Sequence, residues 1–112
     1  MDIQTLSALA EPNRFQMVEL LREGALTVGD ISDRLSIRQP QVSKHLRVLH
    51  DAGIVEQRAE ANRRYYALLP EPFQDMEAWV KSYQTLWEER YDQLDDYLAQ
   101  LQKKHLIGRK SK

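Results

Sequence analysis

Arg38-Gln39-Pro40-Gln41-Val42-Ser43-Lys44-His45-Leu46-Arg47-Val48-Leu49 is the most informative run of this 112-residue sequence. Pro40 suits the first turn of a helix, where a missing N–H is not needed. Val42, Leu46 and Leu49 then share one face. Gln41, Ser43, Lys44 and Arg47 point away from it. This outer set consists of hydrogen-bond donors, with no acid until Asp51. Gln and Arg can pair bidentately with adenine and guanine edges, and Ser and Lys can reach phosphates. Early residues of such a helix enter the major groove, so Gln39, Gln41, Ser43 and Lys44 are the first candidates. The plain alternative is an ordinary polar helix face. The segments on either side argue against it.

Upstream, Thr27 offers an N-cap hydroxyl, and Asp30 stands three residues on to complete a near capping box. Val28, Ile31 and Leu35 make the buried stripe of that helix. Ser36-Ile37-Arg38 connects it tightly to the next. Two short helices joined by three residues have helix-turn-helix spacing. Downstream, Gly53 stops the second helix. Ile54–Glu60 and Arg64–Leu69 read as strands around a Glu60-Ala61-Asn62-Arg63 turn. A hairpin in that place makes a winged helix. Further out, Ile3, Leu6, Leu9 and Ala10 repeat as a short amphipathic helix. Pro12 opens another, carrying Met17, Val18, Leu20 and Leu21, and Gly24 ends it. Pro70 and Pro72 separate the hairpin from a long last helix, about 73–101. The expected fold is mainly α (α+β): about five helices and a two-stranded wing, in one domain over 1–102. The remainder, 103–112, is expected to be a basic, disordered tail.

Length and composition agree. The chain is 42% hydrophobic and 29% charged, within the range of soluble globular domains. No run approaches the roughly 18–20 apolar residues of a membrane span. Met1-Asp2-Ile3-Gln4 has no basic or apolar signal region, so a cytoplasmic protein is expected. Cysteine is absent, which excludes disulfides, thiol catalysis and thiolate metal sites.

The net charge of −1 hides a pattern. Residues 34–69 carry seven basic side chains against three acids. Residues 1–33 carry two against six, and residues 70–99 two against eight. The middle third is therefore basic between acidic flanks, and a polyanion senses such a local face whatever the total.

The last helix carries more apolar surface than so small a monomer can cover. Met76, Val80, Tyr83, Trp87, Tyr91, Leu94, Leu98 and Leu101 repeat at steps of three and four, and Trp79, Leu86 and Tyr97 widen the stripe. A second copy would cover it, with Ile3 and Leu6 of the first helix joining an isologous interface. The aromatic residues could instead line a pocket for a small ligand.

From about Leu6 to Leu69 the sequence resembles the ArsR family of bacterial winged-helix repressors. The matching text is Leu9-Ala10-Glu11-Pro12-Asn13-Arg14, Glu19-Leu20-Leu21-Arg22-Glu23-Gly24, Val42-Ser43-Lys44-His45-Leu46, Leu49-His50-Asp51-Ala52-Gly53-Ile54-Val55 and Arg63-Arg64-Tyr65-Tyr66-Ala67-Leu68. The resemblance implies a homodimeric repressor that binds a palindromic operator on double-stranded DNA. It also implies that Gln41, Ser43, Lys44, His45 and Arg47 lie on the reading helix and Arg63, Arg64 and Tyr65 on the wing. Arg38 stands where the family has a small N-cap residue, and is assigned to phosphate instead. The last helix, rich in Trp and Tyr, is similar to that of a metal-independent, autorepressor-like subgroup. For that subgroup the inducer, a small molecule or a protein, is open.

Many members of the family sense metals. The places of their cysteines fall here in Ala25–Asp30, with Thr27 and Gly29 and no thiol. A second family site uses Asp and His on the last helix. Here that helix has Asp75, Glu77, Asp92, Asp95 and Asp96, but its histidine is His105 at the far end. No metal site and no cofactor are expected. His45 has two readings, a DNA contact or a side chain that packs against the wing or caps a backbone carbonyl. His50 suits the negative end of its helix. A protein-binding adaptor would show apolar or acidic residues where Gln41, Ser43, Lys44 and Arg47 stand. An ArsR-type sensor of a small ligand or metal through an unrecognised site is the other alternative. No arrangement points to an enzyme.

Overall fold

A computed structural model describes residues 1–110. The elements run α1 (Ile3–Leu9), α2 (Pro12–Leu21), α3 (Val28–Leu35), α4 (Gln39–Asp51), β1 (Val55–Glu60), β2 (Arg63–Leu68) and α5 (Glu71–Lys110). They form two compact units, one over Met1–Met76 and one from Glu77 onward.

Local chemistry sets most boundaries in the first unit. Pro12 begins α2, and the Glu11 carboxylate accepts from the Arg14 N–H at 2.8 Å. At α3 the capping box is complete. The Asp30 N–H donates to Thr27 Oγ1 at 3.1 Å, and the Thr27 N–H donates to Asp30 Oδ2 at 3.2 Å. Ser36 ends α3 in the left-handed region, at φ 55° and ψ 43°. Arg38 precedes α4 without any side-chain cap, as a guanidinium must, having no acceptor to offer. Gly53 follows α4 at φ 76°, a conformation open to glycine at little cost.

The core is built where these helices meet. Met17 of α2, Ile31 of α3, Val42, Leu46 and Leu49 of α4, and Ile54 are all fully buried. Val28 and Leu35 pack on this cluster only partly covered. The α1 stripe turns out differently from the expected one. Thr5 and Ala8 are its buried residues, Leu6 and Leu9 are half-buried, and Ile3 is 77% exposed.

The hairpin is antiparallel, with Glu60 opposite Arg63, Gln57 opposite Tyr66 and Val55 opposite Leu68. Its turn is the expected Glu60-Ala61-Asn62-Arg63, with Ala61 and Asn62 at the centre, and β2 begins at Arg63, one residue earlier than expected. Ala61 takes φ 54°. The sequence reading also left out an extra edge contact. Leu26 bridges Tyr66, its N–H donating at 3.0 Å and its carbonyl accepting at 2.8 Å. The wing is therefore pinned to the chain that enters α3.

In the second unit α5 runs without a break to Lys110. The helix thus extends past the expected end near Leu101. After Pro72 in its first turn, no Gly or Pro stands in the helix until Gly108. Residues 111–112 of the expected tail lie outside the described residues. Forty residues give roughly 60 Å of helix. Its side chains Trp79, Val80, Tyr83, Leu86, Trp87, Tyr91, Leu94, Tyr97, Leu98 and Leu101 are 38–62% exposed. No helix among the described residues is long and apolar enough to cross a membrane.

Candidate nucleic-acid interface

Three elements of the first unit build the candidate site. The buried edge of α4 is Val42, Leu46 and Leu49, each at 0% exposure. That anchors the helix with a fixed rotation. Arg38, Gln39, Gln41, Ser43, Lys44 and Arg47 are consequently all exposed. The outer surface of α4 is thus polar and donor-rich as far as Arg47.

On one flank α4 faces the hairpin across a cleft of about 300 Å³, lined by Ser43, Arg47, His50, Asp51, Gln57 and Tyr66. Gln57 Nε2 donates to Tyr66 Oη across the strands at 2.8 Å. Sequence reasoning passed over Gln57 and Tyr66. The signal was the strand alternation, which puts both on one face when the register is right.

Arg63 and Arg64 lie at the hairpin tip and are exposed, while Tyr65 is half-buried. Both arginines border a second cleft of about 340 Å³ with Thr27, Val28 and Gly29, at the start of α3. The Asp30 carboxyl is held below its usual range. The Thr27 backbone N–H contributes most, the Thr27 hydroxyl next, and Arg34 and Arg63 add attraction. Arg58 pairs with Glu56 along the same strand.

His45 is not part of the open face. Its ring is turned towards the α1–α2 junction, with its side chain 21% exposed. Arg14 Nη1 lies 3.4 Å from His45 Nδ1, and Glu11 Oε2 lies 3.7 Å away. Of the two readings of His45, the packed one describes this geometry, with α2 and not the wing as its neighbour. His50 is exposed in the last turn of α4, 3.8 Å from Asp51 Oδ1.

The expected interface residues divide between the units. Ile3 is exposed, and Leu6 and Met76 are half-buried in the first unit. In the second, Trp79 and Tyr83 meet edge to face at 5.6 Å, and the Arg90 guanidinium lies 5.3 Å over the Trp87 ring. Val80, Leu94 and Leu98 are about half exposed. Trp87, Tyr91, Gln84 and Glu88 border an open hollow of about 560 Å³ on the surface of this one helix. Among the described residues, no three His, Asp or Glu side chains gather where they could hold a metal ion.

The family profile described as bacterial regulatory protein, arsR family, matches residues 11–57. The transcriptional repressor SdpR of Bacillus subtilis is 30% identical over 76 residues, 68% of this chain and 84% of that protein. This chain belongs to the ArsR family. The biofilm growth-associated repressor of Agrobacterium fabrum is 43% identical over 63 residues, 56% of this ArsR chain. The match spans only about half of that relative, 54% of its length. Among solved structures, a homodimeric winged helix-turn-helix DNA-binding domain from Mycobacterium bovis superposes with a TM-score of 0.61 at 30% identity. That comparison covers 71% of this ArsR chain and 74% of the other. The profile match takes in α2, α3, α4 and the start of β1, so the wing tip and α5 lie outside it.

Proposed function

We propose that this ArsR-family protein is a dimeric transcriptional repressor that reads a palindromic operator. One observation carries the reading. The apolar edge of α4 is completely buried, and the surface left over is a donor-rich row of Gln39, Gln41, Ser43, Lys44 and Arg47. Gln41 and Arg47 are assigned to base edges, and Ser43, Lys44 and Arg38 to phosphates. Arg63, Arg64 and Tyr65 hold the flanking backbone. Repression needs only that the bound protein cover a promoter.

The second copy follows from α5. Its exposed Trp, Tyr, Leu and Val side chains form a stripe at helical spacing, which a twin helix can cover across a two-fold axis. A dimer also presents two reading helices, as a palindrome requires. The homodimeric relative supports this arrangement. Ile3 and Leu6 are assigned to the same interface. The protein acts in the cytoplasm without a metal or cofactor, because no thiolate is available and its histidines are scattered.

A genomic pull-down tests the function. Tagged protein should enrich a small set of promoters, its own among them, and deletion should raise their transcription. Uniform recovery of the genome would refute it.

A further inference from the structure

Arg14 stands where three helices meet, and three of its nitrogens are engaged there. Its backbone N–H donates to the Glu11 carboxylate that caps α2. Its Nε donates to the Ala8 carbonyl at 2.7 Å, in the last turn of α1. That carbonyl is one of those a helix end leaves without a partner, and α1 has no basic residue of its own there. Its Nη1 reaches His45 Nδ1 on α4, 3.4 Å away. A guanidinium only donates, so in this contact His45 can only be the acceptor, at Nδ1. The charged groups that face His45 are Arg14 and Glu11, both from the start of α2; from α1 comes only the Ala8 carbonyl, through Arg14.

We propose that Arg14 and His45 are positioning residues for DNA recognition: a guanidinium bridge from the end of α1 to α4 that sets the pose of the reading helix. The inference rests on α4 being that helix. Leu46 and Val42 fix which way α4 is turned, but apolar packing is non-directional and tolerates sliding along the axis. A directed hydrogen bond does not. His45 lies one helical turn beyond Gln41, so a slip of α4 at His45 moves Gln41 with it. A base-edge hydrogen bond weakens steeply when its geometry is lost, whereas a phosphate contact through a long lysine adapts. The bridge therefore acts on sequence choice and not on general DNA affinity. It also joins α4 to α1, one of the helices assigned to the second copy.

The test compares Arg14→Lys, His45→Leu, His45→Asn and the Arg14→Lys/His45→Leu double variant at a temperature where all are folded. Lysine keeps the charge but cannot span both Ala8 and His45. Asparagine can place its amide oxygen close to where Nδ1 stood. Binding is measured to the best duplex recovered from a random pool and to a scrambled one. Arg14→Lys and His45→Leu should each weaken the selected duplex about tenfold, with the scrambled one changed less than about twofold. The double variant should be no worse than either alone, His45→Asn should recover most of the loss, and the salt slope should stay at the wild-type value.

Additive losses of about a hundredfold in the double variant would overturn the bridge. So would a His45→Leu slope lower by about 1, which would put His45 on a phosphate. Amide exchange without DNA separates this from the reading of α4. If the wild type selects no sequence, the reading fails. The bridge still stands if Arg14→Lys and His45→Leu lower α4 protection alike and His45→Asn restores it. Unchanged protection would overturn it.

Discussion

Replacing Trp87 with alanine removes the more exposed of the two tryptophans from the stripe of α5. The ring is 51% exposed in the single chain, its other half being covered by its own helix, Arg90 and Tyr91 included. A tryptophan presents about 250 Å², so roughly 125 Å² per chain remains for a partner to cover. At about 25 cal/mol per Å² this comes to about 3 kcal/mol per chain and about 6 kcal/mol for the pair. Full cover therefore corresponds to about four orders of magnitude in the dimer dissociation constant, and half cover to about two. Alanine is the better helix former, so weaker association could not be blamed on helix propensity. Sedimentation over a concentration series reads the effect directly. The wild type should sediment near twice 13.2 kDa at micromolar concentration, and the variant should fall towards one chain mass. A variant that associates as tightly as the wild type would show that this part of α5 is not the interface.

Other outcomes follow from the site. Arg38→Ser supplies the cap that α4 lacks, and should raise stability by about 1 kcal/mol in urea unfolding while lowering the salt slope of DNA binding by about 1. Arg63→Ala and Arg64→Ala should each flatten that slope by about 1, as expected of exposed wing residues on phosphates; an unchanged slope for either would take that residue off the DNA. The Asp30 carboxyl is held low in the folded chain. Its contribution to stability is therefore present above the unfolded carboxylate range, and is lost as pH falls through the lower folded value. Asp30→Asn should accordingly show a smaller drop in urea midpoint between about pH 6 and about pH 3 than the wild type.

The local signals in the sequence were strong where one residue type has one physical use. Pro12, the Thr27–Asp30 pair and Gly53 mark their boundaries because a missing N–H, a reciprocal cap and a positive φ each restrict the backbone. The α4 core followed from spacing alone. α1 was less legible, because its apolar residues are not the ones it buries: Ile3 is exposed and Leu6 half-buried, while small Thr5 and Ala8 are the buried pair. The turn Glu60–Arg63 was legible from the strand pattern on either side, whereas φ 54° at Ala61 was not, since alanine carries no signature for it. His45 was ambiguous for a deeper reason. Its neighbours Arg14 and Glu11 come from more than thirty positions upstream, and no local pattern announces them. The same holds for Leu26 against Tyr66, and for Gln57 and Tyr66 beside Arg47.

The most direct measurement of the central claim is a selection from random duplexes with the wild type and Gln41→Ala. The wild type should return two inverted half-sites about 10 base pairs apart, or a multiple of that, since two symmetric reading helices enter successive major grooves. Gln41→Ala should return the same motif with one position relaxed in each half-site, as expected for a lost contact worth about 1–3 kcal/mol against the right base. No enriched motif for the wild type would contradict the account of this protein as a sequence-reading repressor. An identical motif from Gln41→Ala would contradict the assignment of Gln41 to a base edge.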